Sequence, residues 1–407
     1  MSNLKPAASG EDAASTPTDG VAVTVRSALE TAAGDGDPRG STGAIRRTGR
    51  PPGQPRSPRQ STDFAELSAQ IRGAGLLRRR RVSYWVRFGI ITIALAALVV
   101  LFVRVGDTWW QMITAGIFAI VLTQAGFLGH DAAHRQVFQS SHWNNWASLV
   151  IGDLFVGMSV GWWNNKHNRH HANPNRIGYD PDINIPVVQP DSLVELRRRS
   201  RLVEWTLAHQ SVGFVPFLFL QGLILHIQSL QRVFGRADVP HRHVEIGLIL
   251  LRLGGFTGLA FLVLSPGRAA AFIGVQLAVF GFYLGAVFAI NHMGMPIVPK
   301  SVKLDFFRRQ VLTARDIRGG RLMSFAMGGL NYQIEHHLFP SMPRPQLRRA
   351  APLIQAYCAE RDVPYTRTGL REAFRSVTEY IDGVGLGRQD PFECPMIAAR
   401  QVGAPVD

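Results

Sequence analysis

Long apolar runs separated by polar stretches dominate the chain, and the lengths of those runs set the first expectation. Residues 83–103, 108–129, 244–264 and 269–290 each approach the roughly 20 helical residues that cross a 30 Å hydrocarbon layer. They are read as four transmembrane helices. Arg78, Arg79, Arg80 and Arg81, followed by Tyr84 and Trp85, stand just ahead of the first run. Positive charge and interfacial aromatics in that place anchor a span on its cytoplasmic side. A basic run also suits nucleic acid, but its position directly against an apolar helix favours anchoring.

Parity constrains the rest. The second run returns the chain to the cytosolic side, and the last two, joined by Ser265-Pro266-Gly267, form a hairpin that starts and ends on one side. Residues 145–163 are apolar but contain Asp153 and end in Trp162 and Trp163, the pattern of a segment lying in the interface. Residues 211–230 have the length to span, yet Pro216, Gln221, His226 and Gln228 interrupt them. Were they to cross, the chain beyond residue 290 would emerge opposite residue 130. They are therefore read as interfacial or re-entrant. Arg252 lies inside the third span, where a central charge costs about 2.5–3.5 kcal/mol on insertion scales. It is close enough to the cytosolic end to snorkel there. The expected fold class is an all-α integral membrane protein, with four transmembrane helices, interfacial helices and a cytosolic histidine-rich metal domain.

Composition changes the picture at the two ends. The 407 residues carry a net charge of +15 with 46% apolar residues. Residues 1–77 are rich in Gly, Pro, Ser, Thr, Asp and Arg, so a disordered basic N-terminal tail is expected, with no core to bury. The membrane domain is assigned to residues 78–353 and a cytosolic C-terminal tail to 354–407. Pro345 is expected to open a helix whose apolar face covers the metal domain, and the chain is expected to turn irregular beyond about Gly383. The first apolar run lies far from Met1, so no cleavable signal peptide is expected. Cys358 and Cys394 are the only cysteines, too few for a disulfide framework or a four-cysteine zinc or iron–sulfur site. Both termini and the metal site are accordingly placed in the cytosol, at the cell (inner) membrane, with electrons drawn from elsewhere.

The chemistry lies in the histidines. Of the 13 in the chain, seven fall in three short segments: His130 and His134 in GHDAAHRQ, His167, His170 and His171 in WWNNKHNRHHANPN, and His336 and His337 in LNYQIEHHLFP. Spacings of three and four residues place such side chains on one face of a helical turn. A lone histidine on an apolar face is most often a satisfied core residue; three clusters at ligand spacing are not. Neutral imidazole suits iron, zinc, copper and nickel, and this many ligands exceed what one ion uses, so at least two metal ions are inferred. By the hairpin argument His292 emerges at the same level and is an eighth candidate ligand, with Asn291 as its hydrogen-bonding neighbour. Gln333 stands where the second cluster has His167 and is a candidate to ligate weakly, orient a ligand or leave a position open. His142, His209, His226, His241 and His243 lack a partner at ligand spacing and are read as structural.

HDAAH, HNRHH and QIEHH, in this order and around these runs, resemble the three histidine boxes of the membrane fatty acid desaturases, over roughly Phe88 to Leu353. The contexts NHMGMP and LNYQIEHHLFP are highly specific. The resemblance implies a di-iron centre whose ligands carry over to His130, His134, His167, His170, His171, His336 and His337, and with them to His292. The third box with Gln333 is similar to linoleoyl-type and front-end desaturases, and the whole to bacterial NADPH-dependent stearoyl-CoA desaturases. An acyl-CoA desaturase acting at carbon 9 of stearoyl chains is therefore the leading expectation, with a front-end or lipid-linked acyl desaturase, or a di-iron lipid hydroxylase, as the alternative. O2 is the implied co-substrate, two iron ions the cofactor, and NADPH or NADH the electron source. Many relatives with a Gln third box carry a fused cytochrome b5 module with a His-Pro-Gly-Gly haem motif, which this sequence lacks. A separate reductase or ferredoxin-like donor is implied, and the basic face suits an acidic partner and an anionic acyl carrier. Outside this class, a membrane haem protein, a metal transporter and a dizinc lipid hydrolase also use clustered histidines. A transporter would bury its clusters within the spans, whereas these lie beyond the run ends.

Overall fold

The structure, a computed structural model, describes residues 62–183, 205–206 and 208–385. The apolar runs form helices close to the expected bounds: α2 (Arg81–Val105), α3 (Gln111–Ala133), α7 (Arg242–Val263) and α8 (Pro266–His292). Pro266 occupies the first turn of α8, where its missing N–H is not needed. Ile93 on α2 is 71% exposed and Leu262 on α7 is 85% exposed. Bare aliphatic faces on helices of this length are lipid-facing surface. The protein is thus an all-α membrane protein.

A fifth helix among the described residues, α6 (Gln210–Phe234), is also long and apolar enough to cross a bilayer. It packs on α8 at a point where neither helix has room for a side chain. A Cβ on Gly222 would lie 2.2 Å from the Leu277 carbonyl oxygen, and one on Gly281 2.2 Å from the Gly222 nitrogen. Such small-residue crossings let helix backbones approach closely in lipid. Polar contacts hold both ends of α6. At its start the Ser211 N–H and hydroxyl donate to Asp382 at 2.9 and 2.8 Å; near its end the Ser229 hydroxyl accepts from the Ser159 N–H at 2.6 Å.

Ser159 belongs to an elbow. Helix α4 (Ser141–Leu149) runs into a π-helical turn, Val150–Val156, and after Gly157, in the left-handed region at φ 90°, α5 (Val160–Ala172) leaves at 111°. The bend frees backbone groups, and polar side chains meet them. Asp153 Oδ1 accepts from the Val160 N–H at 2.9 Å, and the Ser159 hydroxyl caps α5 by accepting from Trp162 at 3.0 Å. Arg252 corrects the expectation that it snorkels to water. Its Nε donates to the Phe155 carbonyl at 2.7 Å, and its guanidinium lies 4.4 Å from the Phe256 ring centroid. The elbow brings an acceptor to the charge within the protein.

The remaining elements build a cap over the histidine-bearing helix ends: α9 (Phe306–Leu312), α10 (Gly320–Ala326), α11 (Gln333–Leu338), α12 (Arg344–Glu360) and α13 (Leu370–Gly385). A two-residue parallel pair, β1 (Asp316–Ile317) with β2 (Arg367–Thr368), joins two of its loops. Pro345 lies in the first turn of α12, as its position predicts. Two tail assignments need correction. Residues 1–61 lie outside the described residues, but α1 (Asp63–Gly73) is a capped helix whose Leu67 and Ile71 are fully buried in the cap core. Arg361 holds it through Asp63 at 3.3 Å and Glu66 at 2.7 Å. Two apolar residues one turn apart are too short a periodic signal to stand out in a polar sequence. The segment from 354 is likewise part of the cap through Gly385, because α12 and α13 bury Tyr357, Val377 and Ile381; Cys394 lies outside the described residues.

Gly222→Leu is expected to cost about 1–3 kcal/mol or more by overpacking the α6–α8 crossing, read as a lowered melting temperature of the detergent-purified protein. Gly213→Leu, on the same helix with nothing within 4 Å of an added Cβ, serves as the control. Equal melting of the two variants would show that the close crossing is not formed.

Candidate metal centre

The three box segments arrive from different directions. His130 ends α3, His134 follows as its C-cap residue, the second box occupies the last turns of α5, and the third lies in α11. The ligand atoms of His130, His134, His167, His171 and His336 lie within 4.8 Å of one another. Those of His170, His292 and His337 form a second group with the same limit. In the first, His167 Nε2 lies 2.9 Å from His134 Nε2 and 3.0 Å from His171 Nε2, which in turn lies 3.1 Å from His336 Nε2. In the second, His337 Nε2 lies 3.1 Å from His292 Nε2. Residues adjacent in sequence thus divide between groups: His170 from His171, and His336 from His337. Rings at i and i+1 point about 100° apart on a helix, so one helical turn serves two centres.

Outer contacts fix which nitrogen faces inward. His170 Nδ1 is 2.9 Å from Asp180 Oδ2, His292 Nδ1 is 3.1 Å from the Thr313 carbonyl, and His337 Nδ1 is 3.0 Å from Gln310 Oε1. With Nδ1–H donating outward, Nε2 keeps its lone pair for the interior. Trp163 stacks on His167 at 4.0 Å between ring centroids. Asp180 is itself held, accepting from the Asn175 N–H at 2.7 Å and the Asp182 N–H at 2.9 Å. Tyr365 ties the third box to the cap, its hydroxyl lying 2.6 Å from Asp316 and 2.7 Å from Glu335. Burial and the facing Asp316 push the Glu335 carboxyl well up.

The electrostatics suit a cation. Burial first, then neighbouring rings, hold His134, His167, His171, His336 and His337 well below the usual imidazole range. All five are therefore neutral and able to ligate near pH 7. For His170 burial lowers the pKa, but the Asp180 and Asp182 carboxylates outweigh it and raise it. His130 Nε2 is buried without a hydrogen-bond partner. Several inward nitrogens that meet chiefly one another cannot all be satisfied by shared protons, whereas divalent ions satisfy them together. The residues fit two metal ions.

The other candidates occupy distinct places. Gln333 Nε2 lies 2.9 Å from His292 Nε2, and its Oε1 accepts from Asn291 Nδ2 at 3.1 Å. Asn291 donates to Gln333 Oε1 and to the Leu330 carbonyl, so it holds Gln333 from outside. His226 is buried against the Gly222 and Val156 carbonyls, and His142, His209, His241 and His243 are absent from both groups. Asp180, Gln310 and Thr313 were not anticipated. The two acids of GYDPD, just past the second box, carried the available signal for Asp180; Gln310 and the Thr313 carbonyl carried none.

A cavity of about 200 Å³ opens onto both groups. Its wall includes His167, His170 and His292, and apolar residues of α5, α6 and α8 such as Trp162, Phe214, Leu225 and Phe288. Lys166 and Asp182, ion-paired at 2.5 Å and each about one-third exposed, mark its polar end. The site therefore sets an apolar wall against metal-binding nitrogens.

A membrane protein with a histidine-rich metal site is the class that this fold and chemistry define. The chain belongs to the fatty acid desaturase family, whose model, described as fatty acid desaturase, matches residues 107–369. It is 26% identical over 325 residues to the Delta(8)-fatty-acid desaturase of Helianthus annuus, covering 77% of this chain and 71% of that protein. Identity is 30% with the Acyl-lipid (9-3)-desaturase of Physcomitrium patens, over 76% of this chain and 60% of that protein. It is also 30% with a Delta(5) fatty acid desaturase of Caenorhabditis elegans, over 76% and 71%. These relatives favour the front-end or lipid-linked alternative over the expected closeness to stearoyl-CoA desaturases.

Asp180→Asn removes the charge that orients His170. Loss of such a partner lowers metal affinity by about 10–100-fold, so this variant is expected to purify with a reduced metal-to-protein ratio by elemental analysis. An unchanged ratio at limiting metal would remove Asp180 from the centre.

Proposed function

We propose that this protein is an oxygen-dependent front-end acyl desaturase that holds two iron ions in its paired histidine groups. Five ligands come from His130, His134, His167, His171 and His336, three from His170, His292 and His337, and Gln333 occupies the position beside His292. The observation that carries the proposal is the apolar cavity walled by His167, His170 and His292. Hydrogen removal from an unactivated methylene is beyond any side-chain acid or base, and a bound pair of iron ions supplies the oxygen activation it requires. One O2 would accept two electrons from a donor with two protons from solvent, and two hydrogen atoms from the substrate C–H bonds, giving two waters and one double bond.

The protein residues position and protect. Trp162, Phe214 and Phe288 hold the hydrocarbon and exclude water, and Asp180, Gln310 and the Thr313 carbonyl keep three imidazoles aimed inward. The position of the new bond follows from how far the carboxyl end sits from the histidines. The names Delta(5), Delta(6) and Delta(8) carried by several relatives place their reacting carbons nearer the carboxyl end than carbon 9. The same short reach is assigned to this protein, on a lipid-linked or otherwise carrier-bound acyl chain.

Four helices, α2, α3, α7 and α8, cross the cell membrane, and α6 lies at its edge with both ends on the cytosolic side. That topology is supported by the contacts of Ser211 with Asp382 and of Ser229 with Ser159. Electrons come from NADPH or NADH through a separate acidic protein attracted to the basic cap.

Expression in cells fed saturated and polyunsaturated fatty acids, with double bonds located by mass spectrometry, tests the assignment. The expected product carries its new bond between an existing one and the carboxyl end. A bond at carbon 9 of a saturated chain would restore the stearoyl reading, and a hydroxylated product would replace desaturation altogether. His170→Ala is expected to abolish product while the protein stays in the membrane fraction; full activity would exclude this residue from the site.

A further inference from the structure

A second cavity, of about 700 Å³, lies between α2, α3 and the cap, and no histidine lines it. Its inner walls are apolar, with Ile90 and Ala94 from α2 facing Ile120 and Val121 from α3. Its rim is arginine: Arg87, Arg321, Arg344 and Arg348, with no Asp or Glu lining it among the described residues. Arg344 is neutralised by Asp131 at 2.6 Å. Arg321 and Arg348 are exposed and have no carboxylate partner among the described residues, and Arg87 bonds to Ser83. Three positive charges are thus left over an apolar slot. Beside them α10 turns Leu322, 79% exposed, and Phe325, 66% exposed, outward. Bare side chains of this kind belong at the boundary of the hydrocarbon, so the rim sits at headgroup level and the slot below it.

We propose that this cavity is a binding site for an anionic phospholipid, its phosphate held by Arg87, Arg321 and Arg348 and one acyl chain lying between α2 and α3. Basic pockets between membrane helices recognise anionic headgroups by charge, and guanidinium matches phosphate geometry. An acidic protein segment suits the rim but not the slot beneath it. The reacting substrate is excluded because no histidine reaches this cavity. The bound lipid links the first membrane hairpin to α12, which carries Arg348, and the proposal holds whatever substrate the histidine site uses.

The test is native mass spectrometry of the full chain after exposure to vesicles of phosphatidylcholine alone or mixed with phosphatidylglycerol. The wild type is expected to retain phosphatidylglycerol in preference. Each arginine near an anionic surface is worth about a fivefold change in occupancy, so Arg321→Gln with Arg348→Gln is expected to reduce retention by roughly 25-fold. Ala94→Trp fills the slot with the charges intact and is expected to reduce retention as well. Equal retention of the two lipids, or retention unchanged in both variants, would overturn the proposal. So would undiminished phosphatidylglycerol retention in Ala94→Trp, or displacement of the lipid by inorganic phosphate alone, since the site would then recognise an anion without its tail.

Discussion

Eight imidazoles whose ring nitrogens crowd together, seven of them on buried residues, are the constraint on which this structure rests. A buried polar group without a partner costs about 1–3 kcal/mol, so eight left unsatisfied would rival the roughly 5–15 kcal/mol by which a whole domain is stable. The protein offsets this from outside through Asp180, Gln310 and the Thr313 carbonyl. From inside, the same lone pairs define places for cations. Stability and metal binding are therefore one property of this site, and unpartnered His130 Nε2 marks where the protein alone leaves it incomplete.

The architecture follows from delivering those rings to one level. Apolar helices deliver two of them by ending there, His130 on α3 and His292 on α8. The second box cannot arrive on a straight membrane helix, because it must approach from the side. The π-helical turn and Gly157 supply the 111° change of direction, and Arg252 and Asp153 satisfy backbone groups that the bend exposes. The third box arrives on a six-residue helix, α11, too short to be stable alone. It is held by Tyr365, by Asp316 and by the ion pair of Arg344 with Asp131. Membrane and cap meet at the metal site, with an apolar cavity against both histidine groups.

Family membership and this geometry account for different parts of the function. The desaturase relatives establish the class of reaction, while the structure shows an apolar cavity that runs from Lys166 along both histidine groups. Cavity-lining residues and the residues around the imidazoles are partly different sets. Gln333 illustrates the point: it reaches His292 through its amide nitrogen, which makes it part of the ligand frame without touching the cavity wall.

Much of this was legible without coordinates. Run length located the long apolar helices, α6 among them, since the bilayer dictates about 20 apolar residues wherever a helix crosses. Helical spacing within HDAAH, HNRHH and QIEHH identified the histidines, because side chains three and four residues apart share a face through local geometry alone. What local geometry cannot carry was decided by tertiary structure. The division of adjacent His170 and His171 between two groups depends on segments more than 120 residues away. The burial of α1 rests on two residues, Leu67 and Ile71, whose partners lie in the cap. The position of Arg252 depends on a carbonyl freed by an elbow 97 residues earlier. Sequence specifies directly those features that one element or the solvent imposes on it; contacts between distant elements exist only once packing has chosen which faces meet.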